Sequence, residues 1–235
     1  MSVGIIIQAR MGSSRLPGKI LMDFSGKTLL QHILDRLGRL QTPATTVVAT
    51  TLRSQDDVVE TFCKERGALC FRGDEANVLK RYCDCADAFL FHQVVRMTGD
   101  NPFPDIDELD RLIAYHLENR MDFSENFSNL PIGVGMEILS RPALVDSLQN
   151  ADLPKHFEHV DEYILDHLED YRHGTLGVSG EKCFPSVRLT VDTVEDYRRA
   201  CFILRTAGTN YVTTEQAIAL GRQFDVQSKL GVDQI

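Results

Sequence analysis

The sequence predicts an α/β protein, a three-layer arrangement with a mostly parallel sheet and helices on both faces. Three observations lead there. Short apolar β-type runs alternate with helix-period segments through the first half of the chain, the pattern of βαβ units. Polar loops bearing glycine and proline follow several of the runs. No apolar stretch approaches the roughly 20 residues needed to span a bilayer.

Val3–Ile7 is the first strand-like run, and a polar loop follows it to about Gly26. Leu29, Leu30, Ile33, Leu34, Leu37 and Leu40 then share one helical face. Thr45–Thr50 reads as a second strand, and Val58, Val59, Phe62 and Cys63 as a helix. Ala68–Phe71 is a third strand, and Val78, Leu79, Tyr82, Cys83 and Phe89 mark a third helix. Gln93–Met97 is a fourth strand that ends in Gly99-Asp100-Asn101-Pro102, strong turn chemistry. Leu109, Leu112, Ile113, His116 and Leu117 give a fourth helix.

Beyond Met121 the rhythm changes. Asp122–Phe127 and Gly135–Leu139 read as strands, and Pro142–Gln149 and Glu158–His167 as helices. Thr175–Ser179 and Ser186–Val191 read as strands, followed by helices over Val194–Thr206 and Thr214–Gln223. Residues 122–185 are expected to form an inserted subdomain within a single domain spanning 1–235, because no linker-like segment sets them apart.

The chain has 235 residues, 43% of them hydrophobic and 25% charged, enough for a sizeable core. Its net charge of −9 disfavours nucleic acid or an anionic membrane as partner. Yet Met1–Met22 holds Arg10, Arg15 and Lys19 and no acid, which suits a small anionic ligand. Six cysteines in a chain with a good core, and no leader-like N-terminus, point to free thiols and the cytoplasm.

Three places carry chemistry. The first is the loop after strand one. In open α/β sheets, ligands sit at the carboxyl ends of the strands. There Gly12, Ser13, Ser14 and Gly18 offer backbone N–H groups, and Arg10, Arg15 and Lys19 offer charge for a triphosphate. It is not a Walker A loop: five residues separate the glycines, and Ile20 follows Lys19. An ordinary surface loop with solvated cations is the alternative.

The second is Asp100 and the third Asp192, each just past a strand-like run. Together they would hold Mg²⁺, which takes one or two carboxylates plus phosphate oxygens. Each has a plainer reading: Asp100 as a turn residue, Asp192 as a helix N-cap boxed with Glu195. Asp105-Ile106-Asp107 matches the D-x-D of many glycosyltransferases but sits where a helix begins. His159 and Glu162 would share a helical face, as metal ligands or, more simply, as a solvated or pocket-lining helix start.

Ile6-Ile7-Gln8-Ala9-Arg10-Met11-Gly12-Ser13-Ser14-Arg15-Leu16-Pro17-Gly18-Lys19 resembles the signature of the cytidylyltransferase family. That family includes CMP-KDO and CMP-sialic acid synthetases, and the likeness is to its spore coat polysaccharide biosynthesis (SpsF) branch. Four further segments agree in order: Phe71–Leu79, Val95–Pro102, Pro131–Glu137 and Arg188–Thr193.

The resemblance implies a nucleotide-diphospho-sugar transferase fold, Rossmann-like, with CTP as co-substrate and a sugar or sugar acid as acceptor. The product would serve surface polysaccharide or glycan assembly. Gln8, Ala9, Arg10, Gly12, Ser13, Ser14, Arg15 and Lys19 would bind the nucleotide, with Arg15, Lys19 and Asp100 catalytic. Asp100 and Asp192 would carry Mg²⁺. Arg72 and Asp74 would sit near base and ribose, and Glu137, His159 and Glu162 near the sugar. A homodimer through the inserted region is implied as well. Two rivals stand beside this reading: a glycosyltransferase using Asp105-Ile106-Asp107, and a nucleotide-binding protein without catalysis.

Overall fold

The computed structural model describes residues 2–178, 180–209 and 211–230. Its central sheet has seven strands: β1 (Val3–Gln8), β4 (Thr45–Thr51), β5 (Leu69–Gly73), β6 (Gln93–Thr98), β7 (Phe123–Glu125), β8 (Glu137–Ser140) and β9 (His173–Thr175). The order across the sheet is β5-β4-β1-β6-β8-β7-β9. β8 runs antiparallel to both neighbours, and every other pair is parallel. A small hairpin, β2 (Asp23–Phe24) with β3 (Lys27–Thr28), stands apart. Its turn residues Ser25 and Gly26 both have positive φ, as a tight two-residue hairpin requires.

Strand alternation divides the core into two layers. Ile5, Ile7, Val48, Val95 and Met97 face one side of the sheet. There α1 (Leu29–Leu37), α2 (Asp57–Arg66), α4 (Ile106–Glu118), α8 (Val194–Ala207) and α9 (Thr214–Lys229) cover them. Ile6, Val47, Ala49 and Val94 face the other side, under α3 (Val78–Ala88), α5 (Arg141–Asn150) and α7 (Glu162–Asp166). Burying both faces is why β1 and β4 read as continuous apolar runs. The three-layer α/β architecture and mostly parallel sheet are therefore as expected.

The second half of the chain departs from expectation in three places. Residues 186–191 are not a strand: a single bridge, Ile132 with Arg188, is all that pairs there. The helix expected over 158–167 is two short ones, α6 (Pro154–Glu158) and α7, broken where His159 turns extended (φ −115°, ψ 120°). His159 and Glu162 therefore do not share a helical face. The strand expected over 175–179 is β9, which ends at Thr175; Ser179 lies outside the described residues. All six cysteines are free thiols. No described helix is long and apolar enough to cross a membrane.

Candidate active site

The carboxyl ends of β1 and β6 open into a cavity of about 400 Å³. Gln8 and Ala9 come from the end of β1, Thr98, Gly99 and Asp100 from the end of β6. The loop residues Arg10, Gly12, Ser13, Ser14 and Arg15 form one wall and Lys19 the floor. Asp192 closes one end, and Glu158 and His159 line the rim between α6 and α7.

Local chemistry holds the loop in shape. The Met11 carbonyl accepts from the backbone N–H groups of Ser13 (2.9 Å) and Gly18 (3.0 Å). Gly18 has φ +71°, where a side chain would be strained, and this turns the chain so that Lys19 points inward. Met11 N–H donates at 2.7 Å to Asp56, a fully buried carboxylate that also accepts from Thr51. Asp56 thus anchors the loop from the start of α2. Sequence reasoning passed it over, because an acid at a helix start has an ordinary explanation.

Lys19 is the centre of the site. Its ammonium donates to Asp100 Oδ2 at 2.8 Å, to the Val191 carbonyl at 2.8 Å and to Asp192 Oδ1 at 2.9 Å. Arg15 lies 3.1 Å from Asp192, and Arg188 also pairs with it. Burial alone would raise the Asp192 carboxyl, but Lys19, Arg15 and Arg188 hold it below the usual range. Asp192 is not the helix cap: Thr193 and Asp196 form the capping box of α8. The expected box of Asp192 with Glu195 is displaced by one residue, and the Asp192 carboxylate is left to face the cavity. Thr98 donates to Asp100 and fixes its orientation.

Two carboxylates and a carbonyl converging within 3 Å of one cation form a hard-oxygen set that fits Mg²⁺. Among the described residues, no group of three or more Asp, Glu, His or Cys side chains is placed to hold a metal ion. Mg²⁺ needs no such cluster when phosphate and water complete its shell.

Gln8 and Arg81, which line this cavity, each carry a buried side-chain atom with no hydrogen-bond partner: Gln8 Oε1, an acceptor, and Arg81 Nε, a donor. Arg81 is 2% exposed, and burial lowers its pKa. Its remaining guanidinium holds the Asp74 carbonyl. Arg81 was missed because a single arginine in an amphipathic helix reads as a solvated side chain.

Four expected residues lie outside this cavity. Arg72 is clamped by Asp57 (2.7 Å), Glu60 (2.9 Å) and the Thr51 and Arg53 carbonyls. Asp74 caps the turn before α3, accepting from Ala76 and Asn77 N–H groups. Glu162 pairs with Lys155 at 3.0 Å. Glu137 lies opposite Arg96 in the β6–β8 ladder and lines a smaller adjoining pocket with Thr98 and Asn101. Burial pushes Glu137 up to about 7, against the pull of Arg96. The D-x-D is unavailable for a metal: Asp105 caps α4 and binds Thr214 and Lys182, and only Asp107 is exposed.

The chain belongs to the cytidylyltransferase family, whose model matches residues 4–222. It is 35% identical over 208 residues to the Bacillus subtilis spore coat polysaccharide biosynthesis protein SpsF, covering 86% of each chain. A cytidylyltransferase structure from Leptospira borgpetersenii superposes with TM-score 0.84 at 32% identity, over 99% of this chain and 96% of that one. A CMP-2-keto-3-deoxy-manno-octonic acid synthetase solved with CTP shares the fold at TM-score 0.67 and 18% identity, over 88% of this chain and 100% of that one. The fold is the Rossmann-like one of the nucleotidyltransferases.

Proposed function

We propose that this protein transfers a cytidylyl group from CTP to a hydroxyl of a sugar or sugar acid, releasing pyrophosphate. The observation that carries the reading is the Lys19 ammonium bridging Asp100 and Asp192 on the floor of a cavity walled by Arg10 and Arg15. In the reaction, the acceptor oxygen bonds to the α-phosphorus while the bond to the β-phosphate bridge breaks. The acceptor's proton leaves to solvent. Such transfer depends on positioning and charge stabilisation, not on a protein nucleophile.

The backbone of Gly12, Ser13 and Ser14 would cradle the phosphates, with Arg10 and Arg15 compensating the charge of the departing pyrophosphate. Asp100 and Asp192 would hold Mg²⁺, which supplies charge neutralisation at the phosphates when bound. Gln8 and Arg81 line the cavity with an amide and a guanidinium, which suit a cytosine edge that offers both an amino donor and carbonyl and ring-nitrogen acceptors. Glu158 and His159 stand at the rim where an acceptor would enter, and Glu137 lies in the adjoining pocket. Pairing of two chains through residues 122–185, where β9 forms a sheet edge, belongs to the same reading.

Pyrophosphate release is the test, with each of the four nucleoside triphosphates, Mg²⁺, and a panel of neutral sugars, sugar phosphates and sugar acids. CTP with one acceptor class is the expected active combination. Consumption of a CMP-sugar with none formed would overturn the proposal in favour of glycosyl transfer. Tight CTP binding without turnover on any acceptor would overturn it in favour of a non-catalytic binder.

A further inference from the structure

The same three oxygens that could hold a divalent cation are occupied by Lys19. Its side chain is 9% exposed, so the ammonium is held by protein and not by solvent. All three of its N–H donors have partners, at 2.8, 2.8 and 2.9 Å. Arg15 and Arg188 add further positive charge at Asp192. A divalent cation arriving alone must therefore displace a satisfied ammonium and approach two guanidinium groups.

We propose that Lys19 is the resident counter-ion of the Asp100–Asp192 pair, and that it yields this place to a divalent cation only when a triphosphate draws the ammonium away. The inference rests on the nucleotidyl-transfer reading above and adds an order to it: metal and triphosphate enter together.

Two features make the exchange physically reasonable. Lys19 sits at the start of a single 3-10 turn directly after Gly18, and its four-carbon stem can re-aim the ammonium without moving the sheet. The phosphate-binding wall begins within the same loop, at Gly12–Arg15, so triphosphate oxygens would lie within the stem's sweep. Without the anion, the departure of Lys19 would leave the partly buried Asp100 with no cation and Asp192 with only Arg15 and Arg188, which is costly. With both ligands present, each carboxylate keeps a cation and the ammonium gains phosphate oxygens. The coupling is reciprocal: the triphosphate must raise metal affinity by the factor by which the metal raises triphosphate affinity.

The test uses Mn²⁺ as a spectroscopically visible substitute for Mg²⁺, titrated into the whole protein by electron paramagnetic resonance. Wild type should bind Mn²⁺ weakly alone and more tightly once inorganic tripolyphosphate is present. Lys19→Met should bind Mn²⁺ alone about tenfold tighter or more, because two carboxylates lose their built-in cation. Adding Asp100→Asn to that variant should cancel the gain. A folded Lys19→Met, judged by circular dichroism, that binds Mn²⁺ no tighter than wild type would overturn the proposal.

A second measurement needs no variant. The ¹⁵N resonance of the Lys19 ammonium should move on adding Mg²⁺ with tripolyphosphate and stay in place with Mg²⁺ alone. Movement with Mg²⁺ alone, or none with both, would also overturn it. Neither measurement requires turnover. A protein that makes this exchange yet releases no pyrophosphate refutes the catalytic reading and leaves the exchange standing.

Discussion

Lys19 Nζ and Asp192 Oδ1 lie 2.9 Å apart although 173 positions separate them in the chain. The contact closes the active-site floor by joining the loop after β1 to the segment before α8. It also makes Asp192 share one cation with Asp100. Replacing either by alanine should lower Mg²⁺-dependent pyrophosphate release about a hundredfold or more. The circular dichroism spectrum should be unchanged, since neither side chain caps a helix. Full activity in both variants would remove them from the proposed metal site.

Arg15 is mostly exposed, and its ion pair with Asp192 contributes little to stability. Its proposed role is to compensate the β- and γ-phosphates. Arg15→Ala should weaken CTP binding about ten- to hundredfold, from the loss of charge-assisted hydrogen bonds of roughly 1.5–3 kcal/mol. CMP binding should change much less. Equal weakening of both ligands in isothermal titration would place Arg15 elsewhere.

Arg81 is the proposed contact to the base, and its replacement tests base recognition apart from phosphate recognition. Arg81→Met removes a buried donor that has no protein partner at Nε. CTP affinity should fall about tenfold or more, while affinity for inorganic tripolyphosphate stays the same. A matching loss for tripolyphosphate would show that Arg81 serves the phosphates.

His116 sets a pH dependence of stability remote from the cavity. It is 1% exposed, with Nδ1 2.9 Å from Ser124 and Nε2 2.8 Å from Gln93. Burial lowers its pKa from 6.5 to about 4. Between those values the unfolded chain binds a proton that the folded chain refuses. The stability this neutral histidine retains above pH 6.5 is therefore lost as pH falls toward 4, up to about 3 kcal/mol. Urea titrations near pH 7 and about pH 4.5 should show that loss in wild type and a smaller one in His116→Asn. An identical slope in both would exclude His116 as its source.

Much of the fold was legible before any coordinates. β1, β4, β5 and β6 and helices α1 to α4 follow from short apolar β-type runs and period-3.6 patterning, which short windows record faithfully. The second half was less so. Residues 186–191 have strand composition, but a strand needs a ladder, and only Arg188 finds a bridge. The helix over 158–167 breaks at His159, between a first segment opened by Pro154 and a second that begins at Glu162.

The site divides in the same way. Gln8, Arg10, Gly12, Ser13, Ser14, Arg15, Lys19, Asp100 and Asp192 were read from one dense motif and two strand-end acids, and the structure brings them to one cavity. Arg72 and Asp74 were expected near the nucleotide, yet neither lines the cavity, because α2 acids and turn N–H groups take their charges first. Arg81 lines that cavity instead.

The sequence by itself determined the alternation of strand and helix and the cationic, glycine- and serine-bearing character of the first loop. Both are properties of neighbours along the chain: side-chain periodicity, and the crowding of glycine, serine and cations into a few residues. Only the tertiary structure decided which acids meet Lys19, that Asp56 anchors the loop and that Arg81 faces the cavity. Those outcomes depend on partners brought together by the sheet, at separations of 45 to 173 residues, where no local pattern records the pairing.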